Sequence, residues 1–213
     1  MNRAAFIRAN TTVMSPPLVP ELKLHLAGEA VPLWQKTEKE LQQIGLAPPF
    51  WAFAWAGGQA LARHVLDHPE IIRGRSAVDL ASGSGLVGIA ALKAGAERVL
   101  AADIDHFAYE SMRLNMAANA NAFSATLENQ IGQDGGWDVV LAGDIAYERD
   151  TALAVSAWLE SLHKRGAVVL IGDPGRSYLA RDKLDQIITY SVPVTRALED
   201  TEIKKSSVWR FKA

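Results

Sequence analysis

The stretch Val78-Asp79-Leu80-Ala81-Ser82-Gly83-Ser84-Gly85-Leu86-Val87-Gly88-Ile89 reads as the end of a buried strand, a turn of small residues and the start of a helix. In an open sheet of parallel strands, this first strand-to-helix turn is where a nucleotide-like ligand docks. The run Gly83 to Gly88 matches G-x-G-x-x-G letter for letter. Alone, such a match is weak evidence for any particular cofactor.

Working outward, short apolar runs alternate with amphipathic ones. Strands are predicted at 76–80, 98–102, 125–127, 138–141 and 167–171, with two further β-rich stretches at 187–192 and 207–211. Helices are predicted between them at 86–94, 107–119, 151–163 and 178–184. Strands separated by helix-length connections form a parallel sheet covered on both faces, because a parallel crossover cannot be made by a tight turn. The last two strands have only the linker 193–206 between them, which suits antiparallel pairing. Upstream, Gly57-Gly58 introduce a helix over 59–67 that ends near Pro69. Residues 18–45 read as two short helices divided by Pro32. The first 20 residues, with Arg3, Arg8, several hydroxyl residues and no acid before Glu21, faintly resemble a transit peptide and are read as a loosely ordered arm. The expectation is a single domain over 1–213, with 1–49 as arm and helical extension and 50–213 as core.

Composition narrows the function. The chain has 213 residues, 49% hydrophobic and 22% charged, with 22 basic against 24 acidic residues. Near-neutral charge gives no electrostatic claim on nucleic acid or an anionic membrane. There is no cysteine, which excludes disulfides, zinc–thiolate sites and a cysteine nucleophile. The five histidines are scattered without HExxH spacing, so no metal site is expected. No apolar run reaches the roughly 18 residues of a spanning helix. A monomer in a reducing compartment is expected, cytoplasmic in a bacterium or the mitochondrial matrix in a eukaryote.

Acidic residues then qualify the glycine turn. Asp79 ends its strand four residues before Gly83. A dinucleotide would bring a pyrophosphate of about two negative charges beside that carboxylate. S-adenosylmethionine instead brings an ammonium and a sulfonium, which an acid attracts. Asp103, 20 residues after Gly83, ends the second strand and suits the vicinal hydroxyls of a ribose. Asp105 suits a helix cap, and Asn129 follows the third strand near the adenine edge or as a turn former. The fourth strand runs into Gly143-Asp144-Ile145-Ala146-Tyr147, which the strand-end rule places over the reactive end of the cofactor. A nicotinamide oxidoreductase and a silent nucleotide-binding module remain as rivals.

Together, Asp79 to Gly85, Asp103 and Asp144-x-x-Tyr147 resemble the seven-β-strand class of S-adenosylmethionine-dependent methyltransferases, within which D-x-x-[YF] after the fourth strand marks mostly protein-lysine methyltransferases. The blocks Pro49-Phe50-Trp51-Ala52-Phe53-Ala54-Trp55-Ala56-Gly57-Gly58, Gly172-Asp173-Pro174-Gly175-Arg176 and Ser207-Val208-Trp209 are similar to the electron transfer flavoprotein β-subunit lysine methyltransferase family. The resemblance implies a Rossmann-like class I sheet of seven strands, mostly parallel with an antiparallel last strand and helices on both faces. It implies transfer of methyl groups to lysines of the flavoprotein's β subunit; another protein, such as a ribosomal one, or a small amine is the alternative acceptor. It places Trp55 and Gly58 over the cofactor, Asp79, Ala81, Ser82, Gly83 and Gly85 around its methionine part, and Asp103 at the ribose, with Ile104 also among the cofactor-binding residues. Asn129 belongs at the adenine, Gly143 approaches by backbone, and Asp144 and Tyr147 meet the acceptor lysine. Ala81 stands where the family usually has glycine, which the turn tolerates if its φ is negative. Trp51 and Trp55 are equally compatible with core packing.

The chemistry asked of these residues is orientation. A free lysine has a pKa of about 10.4, so only about one in a few thousand is neutral at pH 7. A carboxylate nearby raises that pKa, which makes Asp144 a binder and orienter of the incoming nitrogen more than a base. Tyr147 adds cation–π attraction, and solvent takes the proton.

Overall fold

The computed structural model describes residues 2–28, 48–120, 122–194 and 202–212. Its centre is a seven-stranded sheet. In chain order the strands are β3 (Ser76–Leu80), β4 (Arg98–Ala102), β5 (Ser124–Thr126), β6 (Val139–Gly143), β7 (Val168–Asp173), β8 (Leu184–Pro193) and β9 (Ile203–Phe211). They lie side by side in the order β5-β4-β3-β6-β7-β9-β8. The five strands from β5 to β7 pair in parallel, and β9 runs antiparallel to both β7 and β8. The chain winds outward from β3 to β5 and then returns to β6 beside β3. The carboxyl ends of β3 and β6 therefore flank the topological switch point, where the crevice opens.

Side-chain alternation along these strands feeds two core layers. Ala77, Val139, Leu141, Leu170 and Val208 face α2 (Ala56–Asp67) and α3 (Leu86–Lys93), where Leu61, Val65, Ile89 and Ala90 are fully buried. Val78, Val140, Val169 and Ile171 face the other way, onto Val155, Trp158, Leu159 and Leu162 of α5 (Arg149–Arg165). That helix ends at Gly166, whose φ of 104° needs no Cβ penalty, with His163, Lys164 and Arg165 against the negative end of its dipole. Helix α4 (His106–Ala118) starts where Asp105 accepts a hydrogen bond from the Phe107 N–H at 2.8 Å, as its sequence position suggested.

Three expectations are corrected. The first residues are no loose arm: α1 (Arg3–Asn10), β1 (Thr12–Met14) and β2 (Leu24–Leu26) are ordered elements, and Ile7, Val19, Leu22 and Leu24 are buried in the core. The strands β1 and β2 pair antiparallel, and β2 hangs on α4: Asn115 Oδ1 accepts from the His25 N–H while Asn119 bonds both the N–H and the carbonyl of Lys23. The helix expected to begin at residue 18 is thus replaced by a turn and a strand, and the rest of that prediction lies outside the described residues. The helix expected at 178–184 is only a short 3₁₀ turn, Arg181–Lys183, because Leu184 already begins β8. Pairing with β9 claims that backbone from Leu184↔Phe211 onward, which overrides a weak local helical pattern.

Candidate active site

The crevice is organised by carboxylates at strand ends. Asp79, the fourth residue of β3, is 1% exposed. One of its oxygens, Oδ2, accepts from the Ser82 hydroxyl and, at 2.9 Å, from the Gly88 N–H. Gly88 is the third residue of α3, so Asp79 occupies the positive end of that helix. A Cβ on Gly88 would lie 3.2 Å from that carboxylate oxygen, so the last glycine of the G-x-G-x-x-G run admits a side chain of this same chain. A pyrophosphate would have to compete for a helix terminus already holding a carboxylate. Burial pushes the Asp79 carboxyl up to about 7 against the pull of Ser82 and Gly88. A cation placed beside Asp79 would favour its ionised form, which fits an ammonium-bearing donor.

Asp103 fixes the glycine turn itself. Its Oδ2 accepts from the Gly83 N–H and its Oδ1 from the Asp105 N–H, each at 2.9 Å. Each oxygen keeps a second lone pair for a ligand hydroxyl. Burial raises its pKa as well. In the same turn Ala81 has φ +51°, the left-handed region, so the condition of a negative φ under which alanine is tolerated there is not met. The β3–α3 turn requires this conformation, and alanine takes it at a cost that glycine avoids. Gly85 is also left-handed (φ +81°), but a Cβ there would press on Met112 and Phe123 at 3.3 Å. It shapes the turn from beneath instead of lining the cleft.

On the far side of the switch point, Asp144 follows β6 with φ +55° and is 8% exposed. Its Oδ2 accepts from the Gly58 N–H at 2.8 Å, the third residue of α2, and its Oδ1 pairs with Arg176 Nη2 at 2.8 Å. The carboxylate expected to stand open for an amine is therefore already bonded on both oxygens. Burial pushes it up to about 6, opposed by the Arg176 cation and the Gly58 N–H. Two backbone crossings permit this closeness. A Cβ on Gly57 would come 2.3 Å from the Gly172 carbonyl oxygen, and one on Gly143 would come 3.0 Å from the Gly58 Cα. Gly143 thus meets helix α2 by backbone while still lining the cleft.

The cleft brings together Trp55, Gly58, Asp79, Ala81, Ser82, Gly83, Asp103, Gly143, Asp144 and Tyr147 from the sequence-predicted set. Ile104 and Asn129 line an adjoining hollow that shares Ala81, Asp103 and Tyr147 with it. Asn129 also accepts from the Ile131 N–H, the turn-forming role its type suggests. Trp51 stacks on Phe107 at 5.8 Å within the core, whereas Trp55 donates its indole N–H to the Phe50 carbonyl and borders the cleft. Tyr147 is half-exposed, with its ring 5.5 Å from that of Phe50. Sequence reasoning missed Phe50, Phe53 and Arg176 as lining residues. The available signal for Arg176 was its place just past the carboxyl end of β7, next to β6.

The family described as ribosomal protein L11 methyltransferase (PrmA) matches over residues 60–172. The electron transfer flavoprotein beta subunit lysine methyltransferase of Mus musculus is 37% identical over 218 residues, covering 97% of this chain and 83% of the relative. Its Xenopus laevis counterpart is 38% identical over 215 residues, covering 98% and 86%. Among solved structures, magnesium protoporphyrin IX methyltransferase from Synechocystis PCC 6803 with bound SAM matches with a TM-score of 0.51 at 17% identity, over 73% of this chain and 80% of that one. At that identity the likeness shows the fold alone. The full-length similarity decides the assignment: the chain belongs to the family of electron transfer flavoprotein beta subunit lysine methyltransferases.

Proposed function

We propose that the protein transfers methyl groups from S-adenosylmethionine to lysine side chains of the electron transfer flavoprotein β subunit, the substrate class named by its relatives. The observation that carries this reading is the seat of Asp79 on the N-terminus of α3, which makes the cleft unwelcoming to phosphate and receptive to a cation. When bound, the donor supplies an electrophilic methyl group on a sulfonium. Asp79 and the Ser82–Gly83 turn would hold its ammonium end, and Asp103 its ribose hydroxyls. Ile104 and Asn129 border the hollow that suits its adenine.

The chain's own residues then position the acceptor. Asp144 and Tyr147 lie on the rim of the same cleft, where a lysine nitrogen would meet a carboxylate and an aromatic ring. Asp144 attracts the nitrogen but disfavours its deprotonation. Desolvation in the cleft and the positive charge of the donor act in the opposite direction. The enzyme works as a monomer in a bacterial cytoplasm or a mitochondrial matrix.

Two measurements test the reading. Titration calorimetry should show heat with S-adenosylmethionine and none with NAD. Mass spectrometry of the purified flavoprotein β subunit, incubated with enzyme and donor, should show a ladder of single-methyl increments on lysine. Methylation of ribosomal protein L11 with the flavoprotein subunit left unmodified would overturn the substrate assignment.

A further inference from the structure

Arg176 sits at the border shared by the donor cleft and an outer groove, on the side from which an acceptor would arrive. Its guanidinium contacts Asp144 Oδ1 through Nη2 at 2.8 Å and Nε at 3.3 Å. Its Cζ lies 5.8 Å from the centre of the Trp55 ring. A carboxylate on one side and an aromatic face on the other are the surroundings that recognise an organic cation. Here the chain supplies that cation itself.

The position is also a passage. Arg176 and Tyr147 border the donor cleft, and the same two residues border a second, outer groove with Pro174, Ser177 and Tyr178. A side chain entering from that groove toward the donor must pass between them. The backbone around Arg176 is pinned, since Asp173 Oδ1 accepts from the N–H groups of both Gly175 (2.6 Å) and Arg176 (2.7 Å). Movement is therefore left to the side chain. A second carboxylate stands ready for it: Asp173 is 1% exposed, its Oδ2 has no hydrogen-bond partner among the described residues, and it already feels the charge of Arg176.

We propose that Arg176 is a resident stand-in for the substrate's ammonium, holding the seat on Asp144 until the acceptor lysine displaces it. The inference rests on the lysine-methylation reading and deepens it. Its physical logic is charge exchange. A buried carboxylate stripped of its partner is costly, so an acid that must bind a cation during the reaction needs another in its absence. Replacing guanidinium by ammonium keeps the charge of the pocket constant, with the N-terminus of α2 on the other carboxylate oxygen throughout. Arg176 is thus a positioning residue that also makes entry selective, because a neutral side chain cannot replace it at Asp144.

Two substitutions test this, each checked first for a cooperative melt and for donor binding. Arg176→Lys puts a primary amine in the seat. With S-adenosylmethionine and no other protein, its nitrogen lone pair should attack the methyl carbon, the carbon–sulfur bond should break, S-adenosylhomocysteine should leave, and solvent should take the proton. The expected result is methyl mass on the peptide containing position 176, with none on the same peptide of the unaltered enzyme. Arg176→Ala should lower KM for the protein acceptor at alkaline pH by about fivefold, the equivalent of a partly exposed ion pair. It should also let n-butylammonium raise the melting temperature, which the unaltered enzyme should not. Donor-binding variants that gain no methyl at position 176, show an unchanged or higher KM and ignore butylammonium would overturn the proposal. Failure of the lysine reading is seen separately, as an unmodified flavoprotein subunit alongside an intact butylammonium response.

Discussion

Asp79 and Asp144 occupy equivalent places on the two sides of the switch point and behave differently. Each comes from the carboxyl end of a central strand, is buried, and accepts from the third N–H of a neighbouring helix, α3 for Asp79 and α2 for Asp144. They part at the second partner: a neutral Ser82 hydroxyl for Asp79, the Arg176 cation for Asp144. Burial consequently leaves Asp79 at about 7 and Asp144 at about 6. The lesson is that one capping geometry serves two ends. Partnered by a hydroxyl, it leaves a charge-seeking cradle for the donor; partnered by a cation, it leaves an exchangeable seat for the acceptor.

The harshest way to break the comparison is at the glycines beneath the two caps. Gly57→Ala would drive a Cβ to 2.5 Å from Asp144 Oδ2 and 2.3 Å from the Gly172 carbonyl oxygen, neither of which can retreat far. The expected loss is about 3 kcal/mol or more, with turnover abolished, as read from denaturant melts and the methylation assay. Gly88→Ala presses on the Asp79 carboxylate at 3.2 Å and meets Phe123 and Val99 at an ordinary 3.5 Å, and alanine's better helix propensity offsets the squeeze to about 1 kcal/mol or less. Equal losses in the two variants would mean the caps are not distinguished as described.

Removing acids separates the two ends functionally. Asp144→Ala should cut turnover by about 100-fold or more while S-adenosylmethionine affinity stays within a few-fold, because the donor's ammonium and ribose contacts lie on the other side. Asp103→Ala should do the reverse, weakening donor affinity by about 10- to 100-fold through two lost charge-assisted bonds. Calorimetry beside saturation kinetics distinguishes them, and parallel losses in both quantities for both variants would erase the division of labour.

A pH series sharpens the electrostatic half. Both carboxyls are held above the unfolded value of about 3.9, so the folded state binds more protons between roughly pH 4 and 7. Their contribution is present at the acid end of that window and is lost as pH rises through it. Asp79→Asn removes one of the two, so the melting temperature of the unaltered protein should fall relative to that variant between pH 5 and 8. A constant difference would show that Asp79 does not titrate there. Ala81→Gly acts in the opposite direction: it relieves the left-handed turn and should raise stability by about 1 kcal/mol with donor affinity undiminished.

Much of this was legible in the chain itself, and the gaps have physical reasons. Ser76–Leu80 and Arg98–Ala102 begin and end where predicted, because buried parallel strands are continuous apolar runs bounded by turn residues. Asp79, Asp103 and Asp144 were found through their places at strand ends. The hydrogen bonds of Asp79 to Gly88 and of Asp144 to Gly58 and Arg176 were not foreseen, and two of those three join residues at least 32 positions apart. The burial of Ile7 and Leu24 was invisible for the same reason: Asn115 and Asn119, at least 90 residues further on, hold the strand of Leu24, and Ile7 shares a core cluster with Ala108 and Leu114. Residues 178–184 misled because a weak amphipathic pattern cannot report a strand partner beyond residue 203.

That early segment has a practical side. Because β2 is sewn to α4 through two asparagine side chains and carries Leu24 and Leu26 into the interior, shortening the protein past its first helix would unroof greasy surface instead of trimming slack.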